Sequence, residues 1–146
     1  MTHIRAGMRL KASMLTVDAV QVEDATTRTT TSGTYANAAT GGAFSAAITV
    51  PLSGKVNVEM RVTERNSGAT NTITSWIASG STSGSVYSTS DTAALIVAGT
   101  DNSSLDLSYL LTGLTAGELL TVTMQHRVSG GTGTIDYRLI LLTGCL

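Results

Sequence analysis

Charge is what this chain has least of. Lys, Arg, Asp and Glu make up 13% of its 146 residues, about half the share found in an ordinary soluble domain. Nine bases against ten acids leave a net charge of −1, so no broad field draws the chain to nucleic acid or to an anionic membrane. Cysteine is almost missing as well. Cys145 stands alone, which excludes an intrachain disulfide. A nucleophilic or redox role for it would need a base and an electropositive setting that its sequence neighbours do not supply. The two histidines, His3 and His126, are too far from each other and from Cys145 to give a zinc spacing. They are also the only bases a Ser or Cys nucleophile could use, and no Gly-x-Ser-x-Gly elbow accompanies them.

Other absences narrow the reading further. One Trp, one Phe and four Tyr are few for a groove that stacks sugars or bases. No apolar run approaches the roughly 18 residues of a membrane span. The opening Met1-Thr2-His3-Ile4-Arg5 lacks the apolar stretch of a signal peptide. The expectation is synthesis in a cytoplasm without export, so the glycosylation-type triplet Asn102-Ser103-Ser104 carries little weight. Asp91, Asp101 and Asp106 could meet a calcium ion if their loops converged, but the EF-hand spacing is missing. The glycines at 130, 131 and 133 join two expected strands, with no helix N-terminus to hold a phosphate. No metal, cofactor or catalytic residue is expected, and the chain is expected not to be an enzyme.

Ser, Thr, Gly and Ala fill the space that charge leaves. A nearly neutral surface is a solubility hazard for a free monomer and less of one for a component of an assembly. Residues 1–15 stand apart as an N-terminal arm, extended or a short helix. Arg5, Arg9 and Lys11, with His3, precede the first acid, Asp18, and are interleaved with Ile4, Met8 and Leu10. The arm is either a solvated terminus or an element that docks on an acidic neighbour. The partner-binding expectation falls on Ile4, Arg5, Met8, Arg9, Leu10 and Lys11.

Residues 16–146 carry period-two patterns, the signature of half-buried strands. Phe44, Ala46, Ile48 and Val50 share a face before Pro51. In residues 55–62, Val56, Val58, Met60 and Val62 point one way while Lys55, Asn57, Glu59 and Arg61 point the other. Residues 71–78 place Ile73 and Ile77 opposite Trp76, which reads as a core or interface anchor. Residues 93–98 form an apolar run expected to be buried on both sides, and Leu105, Leu107 and Tyr109 mark another strand. Leu120, Val122, Met124, His126 and Val128 share a face, as do Ile135, Tyr137, Leu139 and Leu141, and the glycine-rich link between the two sets predicts a long β-hairpin. The alternation makes His126 a satisfied, partly buried histidine. The Ser/Thr/Gly-rich segments 26–34 and 79–90 read as loops or edge strands. An all-β jelly-roll sandwich of about seven to nine strands behind the short arm is the expected architecture.

Three stretches resemble a known family. Ala6-Gly-Met-Arg-Leu-Lys-Ala-Ser-Met-Leu15, Phe44-Ser-Ala-Ala-Ile-Thr-Val-Pro-Leu-Ser-Gly-Lys-Val56, and the end from Leu114-Thr-Ala-Gly-Glu118 through His126-Arg-Val-Ser-Gly-Gly-Thr-Gly133 to Arg138 are similar to segments of small virion proteins of tailed phages, particularly phages of actinobacteria. The last also resembles the closing strands of trimeric jelly rolls of the complement-C1q and tumour-necrosis-factor type. The resemblance implies a non-enzymatic virion structural protein, first a capsid decoration protein that binds and stabilises the assembled shell. Its implied partners are the major capsid protein lattice or another virion protein, and itself as a homotrimer, with no nucleic acid or membrane. The alternative is a receptor- or glycan-binding minor tail or fibre module, with Trp76, Tyr87 and the Ser/Thr loops as contacts.

Overall fold

The computed structural model describes residues 17–146, and these form two antiparallel sheets packed face to face. In chain order the strands are β1 (Ala19–Asp24), β2 (Arg28–Thr30), β3 (Phe44–Thr49), β4 (Val56–Asn66), β5 (Asn71–Gly80), β6 (Gly84–Tyr87), β7 (Leu95–Ala98), β8 (Ser103–Leu111), β9 (Leu119–Val128) and β10 (Gly133–Gly144). The first sheet runs β1–β10–β4–β8, with β2 continuing β1 along the same side of β10. The second runs β3–β9–β5–β6, with β7 continuing the β6 side of β5. Ten strands therefore fill eight positions, and successive positions alternate between sheets except at the β5–β6 turn. That order is a jelly roll.

The alternating residues do what their period requires. Val56, Val58, Met60 and Val62 of β4 meet Phe44, Ala46 and Ile48 of β3, Trp76 and Ala78 of β5, Leu120, Val122 and Met124 of β9, and Ile140 and Leu142 of β10 in one core. One edge of the sandwich is closed by aromatics. Trp76 stacks on Tyr87 at 3.8 Å between ring centroids and meets Tyr109 edge-on at 5.5 Å.

Four sequence expectations need correction. The 119–128 and 134–142 segments are not a hairpin: β9 pairs with β3 and β5, whereas β10 pairs with β1, β2 and β4. Residues 129–132 form an arch between the sheets, about 10 Å apart in such sandwiches. The arch is fastened to the neighbouring β4–β5 arch: Asn66 Nδ2 and Thr70 Oγ1 donate to the Gly130 carbonyl at 3.1 and 2.7 Å, and Ser67 N–H donates to the Thr132 carbonyl. Gly131 sits at φ +66°, where an added Cβ would lie 2.6 Å from Asn66 Oδ1.

Second, Ile135 does not share a face with Tyr137, Leu139 and Leu141. A β-bulge between Ile135 and Tyr137 shifts the register, so Ile135, Arg138, Ile140 and Leu142 point inward and the other three point outward. A bulge inserts one unpaired residue and so inverts the alternation beyond it. Third, the 93–98 run is buried on one side: Leu95 and Val97 face the core while Ile96 is 44% exposed. Fourth, His126 is fully buried and its Nε2 has no partner among the described residues.

The β5–β6 turn depends on a single carboxylate. Glu118 accepts from the backbone N–H groups of Thr82, Ser83 and Thr115 and from Ser83 Oγ. These bonds, the Ser83 N–H first, hold its pKa below the usual range against the opposing effect of burial. A Cβ on Gly80 would lie 2.1 Å from Glu118 Oε2. Gly80→Ala is therefore expected to expel the carboxylate, lower the melting temperature, and speed amide exchange at Thr82, Ser83 and Thr115. Unchanged protection of those three amides would show that the staple does not hold the turn.

Candidate functional site

Three regions concentrate chemistry: a polar layer inside the sandwich and the outward faces of the two sheets. The interior layer arises where four strands turn polar at the same level. Glu64 of β4, Thr74 of β5, His126 of β9 and Arg138 of β10 all face inward and are at most 2% exposed. Thr74 Oγ1 donates to Glu64 Oε2 at 2.6 Å and lies 2.7 Å from His126 Nδ1. Thr74 has one hydroxyl proton, so with Glu64 ionised His126 Nδ1 must carry the proton of its own bond. Burial pushes Glu64 up to about 7, with the Thr74 bond pulling back, and burial together with the Arg138 charge brings His126 down to about 3. Arg138 Nη2 donates to Asp24 Oδ2 at 2.6 Å, and its guanidinium lies 4.5 Å from the centre of the Phe44 ring. That bond, aided by the Thr26 N–H and Arg28, holds Asp24 well below the usual carboxylate range. The whole layer is sealed from solvent, so its chemistry serves the fold and does not touch a macromolecular partner.

The outward faces differ sharply. On the first sheet, the bulge in β10 brings Leu139 and Leu141 to the surface, level with Arg61 and Glu59 of β4 and with Asp106 and Ser108 of β8. Together with Gln21 of β1 they form a shallow trough of about 270 Å³. Glu23 flanks it, accepting from Tyr137 OH at 3.1 Å. The second sheet turns out Ser45, Ala47 and Thr49 of β3, Thr121, Thr123 and Gln125 of β9, and Ile77 and Ser79 of β5. Ser45 and Thr123 join hydroxyls across the strands at 2.8 Å. The charge this sheet turns outward is Arg127, at one end, where Asp91 holds it at 2.5 Å while also accepting from Tyr35 OH. The middle of the face carries hydroxyl and methyl groups beside the exposed Ile77, and no charge.

The expected site residues fall as follows. Ile4, Arg5, Met8, Arg9, Leu10 and Lys11 lie outside the described residues. Trp76 is fully buried, which removes it as a glycan contact, and Tyr87 is half-buried against it. Asp91 is committed to Arg127 and Tyr35, and no cluster of metal-ligating side chains occurs among the described residues. Cys145 is a free thiol in contact with the Thr143 carbonyl. The trough was not legible in the sequence, because its apolar floor depends on the bulge.

Among the described residues the fold defines an all-β jelly-roll protein with one charged outward face and one that is uncharged in its middle. No protein-family description matches the chain, and no curated protein matches it. Among solved structures it is similar to the enzymatically active domain of tailspike protein 4 of bacteriophage CBA120, at 12% sequence identity and a TM-score of 0.40. The likeness takes in 85% of this chain and 19% of the other. The expectation that the chain is not an enzyme is corrected on this finding, since a protein it resembles is described as enzymatically active. At this level of likeness no activity and no residue role passes to the present chain.

Proposed function

We propose that this protein is a component of a phage particle, a decoration protein that binds the assembled shell through the outward face of its second sheet and does so as a homotrimer. The observation that carries the reading is the uncharged middle of that face. Short hydroxyl and methyl side chains cost little to desolvate when a protein surface covers them, and the cores of protein interfaces are depleted of charge in the same way. The jelly-roll order and the sequence resemblance to small virion proteins support the same reading. Binding the assembled lattice in preference to its free subunits would stabilise the shell by mass action.

Thr49 and Ile77 are exposed on that face, so Thr49→Lys and Ile77→Lys should leave the melting temperature unchanged. Each is expected to lower occupancy on purified shells by roughly tenfold, the effect of about 1.4 kcal/mol lost at an interface. Ser104→Lys, on the outward face of the other sheet, serves as the control. Electron cryo-microscopy of particles with and without the protein gives the occupancy. Full decoration by both face variants would exclude this face, and density on the tail would favour the receptor- or glycan-binding alternative.

A further inference from the structure

The trough on the first sheet has a floor of leucines and a rim richer in acid than in base, and a segment of complementary character exists in the same chain. Of nine Lys and Arg in the sequence, Arg5, Arg9 and Lys11 precede the described residues together with no acid, so residues 17–146 hold six bases against ten acids. Part of that excess lies at the trough. Glu59 and Asp106 stand at its rim against Arg61, and Glu23 lies beside it. Leu139 and Leu141, between them, are half-buried on an otherwise outward-facing surface.

We infer that residues Ile4 to Lys11 dock across this trough on their own copy of the protein, with Ile4, Met8 and Leu10 over Leu139 and Leu141 and the bases toward Glu59 and Asp106. The reach agrees. The described chain begins at Val17, beside the Asp18 carbonyl that accepts from Gly144 N–H, and Gln21 lines the trough four residues further along β1. Residues 12–16 span about 16 Å when extended, against about 13 Å from Val17 to the level of Gln21. Crossing from β1 to β8 takes three strand spacings, about 14 Å, and the eight residues from 4 to 11 extend to about 26 Å. The apolar contacts would supply most of the affinity, since exposed ion pairs are weak, while the charges select orientation. This gives the basic arm a partner other than the shell, and it stands whether or not the protein binds shells.

The test uses the full-length chain with a photoreactive amino acid at position 8, in a mixture of heavy-isotope and ordinary protein. Cross-links are expected from position 8 to peptides of β8 or β10, within chains of one isotopic kind. Glu59→Lys with Asp106→Lys should reduce their yield several-fold, and Arg5→Glu with Arg9→Glu in the same chain should restore it. Both variants should keep the wild-type melting temperature, because the rim residues are solvent-facing. Cross-links to the second sheet, an absence of cross-links, or a yield indifferent to the rim charges would overturn the docking. Links joining heavy to light chains would overturn the assignment to the same copy and indicate exchange of the segment between neighbours.

Discussion

Replacing Asp24 with alanine is expected to cost the fold about 3–5 kcal/mol, the penalty for stranding a buried charge. The Arg138 side chain is 2% exposed, and Asp24 Oδ2 is its hydrogen-bond partner among the described residues; Nε and Nη1 have none. Without the carboxylate, the guanidinium keeps the Phe44 ring and nothing to balance its charge. Removing the cation as well should return most of the loss, because Met fills similar volume and adapts to irregular space. Arg138→Met alone should be much milder, about 1 kcal/mol, since Asp24 retains Arg28 at 3.1 Å and partial access to water. Urea unfolding of the two single variants and the double variant gives the cycle. A double variant as unstable as Asp24→Ala would show that the stranded cation is not the source of the cost.

The second large effect is hidden in the wild type. Glu64 titrates at about 7 in the folded protein against an ordinary 4.5, so its contribution is full below pH 4.5 and is lost as pH rises through 7. His126 titrates at about 3 against 6.5, so its contribution is full above pH 6.5 and is lost as pH falls toward 3. Each is worth a few kcal/mol, at about 1.4 kcal/mol per pH unit. Between pH 4.5 and 6.5 the two groups together hold one proton in both the folded and the unfolded chain. Their slopes cancel there, so the joint contribution of the two groups does not change with pH across that window. Glu64→Gln should uncover the histidine, giving stability that climbs with pH from about 3 to 6.5. His126→Gln should uncover the carboxyl, giving stability that declines from about 4.5 to 7. Below pH 4.5 the wild type should weaken steeply, because His126 and the strongly acidic Asp24 then lose stability together. Urea midpoints measured in half-unit steps of pH settle the matter; parallel profiles for the three proteins would mean that the pair does not titrate in opposition.

Much of the sandwich was legible in period-two alternation, and the reason is visible in β4 and β9. Both are central strands with one face in the core, and every second residue from Val56 to Val62 and from Leu120 to Val128 is buried. Alternation reports which face a residue takes and is silent about which strand lies beside it. That is why β9 and β10 read as partners although an arch carries the chain from one sheet to the other. The edge strand β1 escaped notice because its inward residues, Val20, Val22 and Asp24, are only half-buried and end in an acid. In β10 the run from Leu139 to Leu142 is apolar at both parities, so its inward face could not be chosen without the bulge. The polar layer was hidden for a related reason. Glu64 lies just beyond the apolar alternation of β4, and its connection to His126 passes through Thr74 on a third strand. A fully buried carboxyl with such partners has no local sequence mark.

The position of β10 in the first sheet has a consequence for how the chain acquires its shape. Of the ten strands it is the last to be synthesised, yet it lies between β1 and β4 and supplies the backbone partners of β1 and β2. While translation is under way, the second sheet can assemble from β3, β5 and β9, and β4 can pair with β8, but β1 has no ladder to join until β10 has emerged. Pairings between sequence-distant strands form slowly, because a long loop must close before any contact rewards it. The nascent domain thus spends the end of its synthesis with one flank of β4 unpaired, a template for pairing with other chains until β10 fills it.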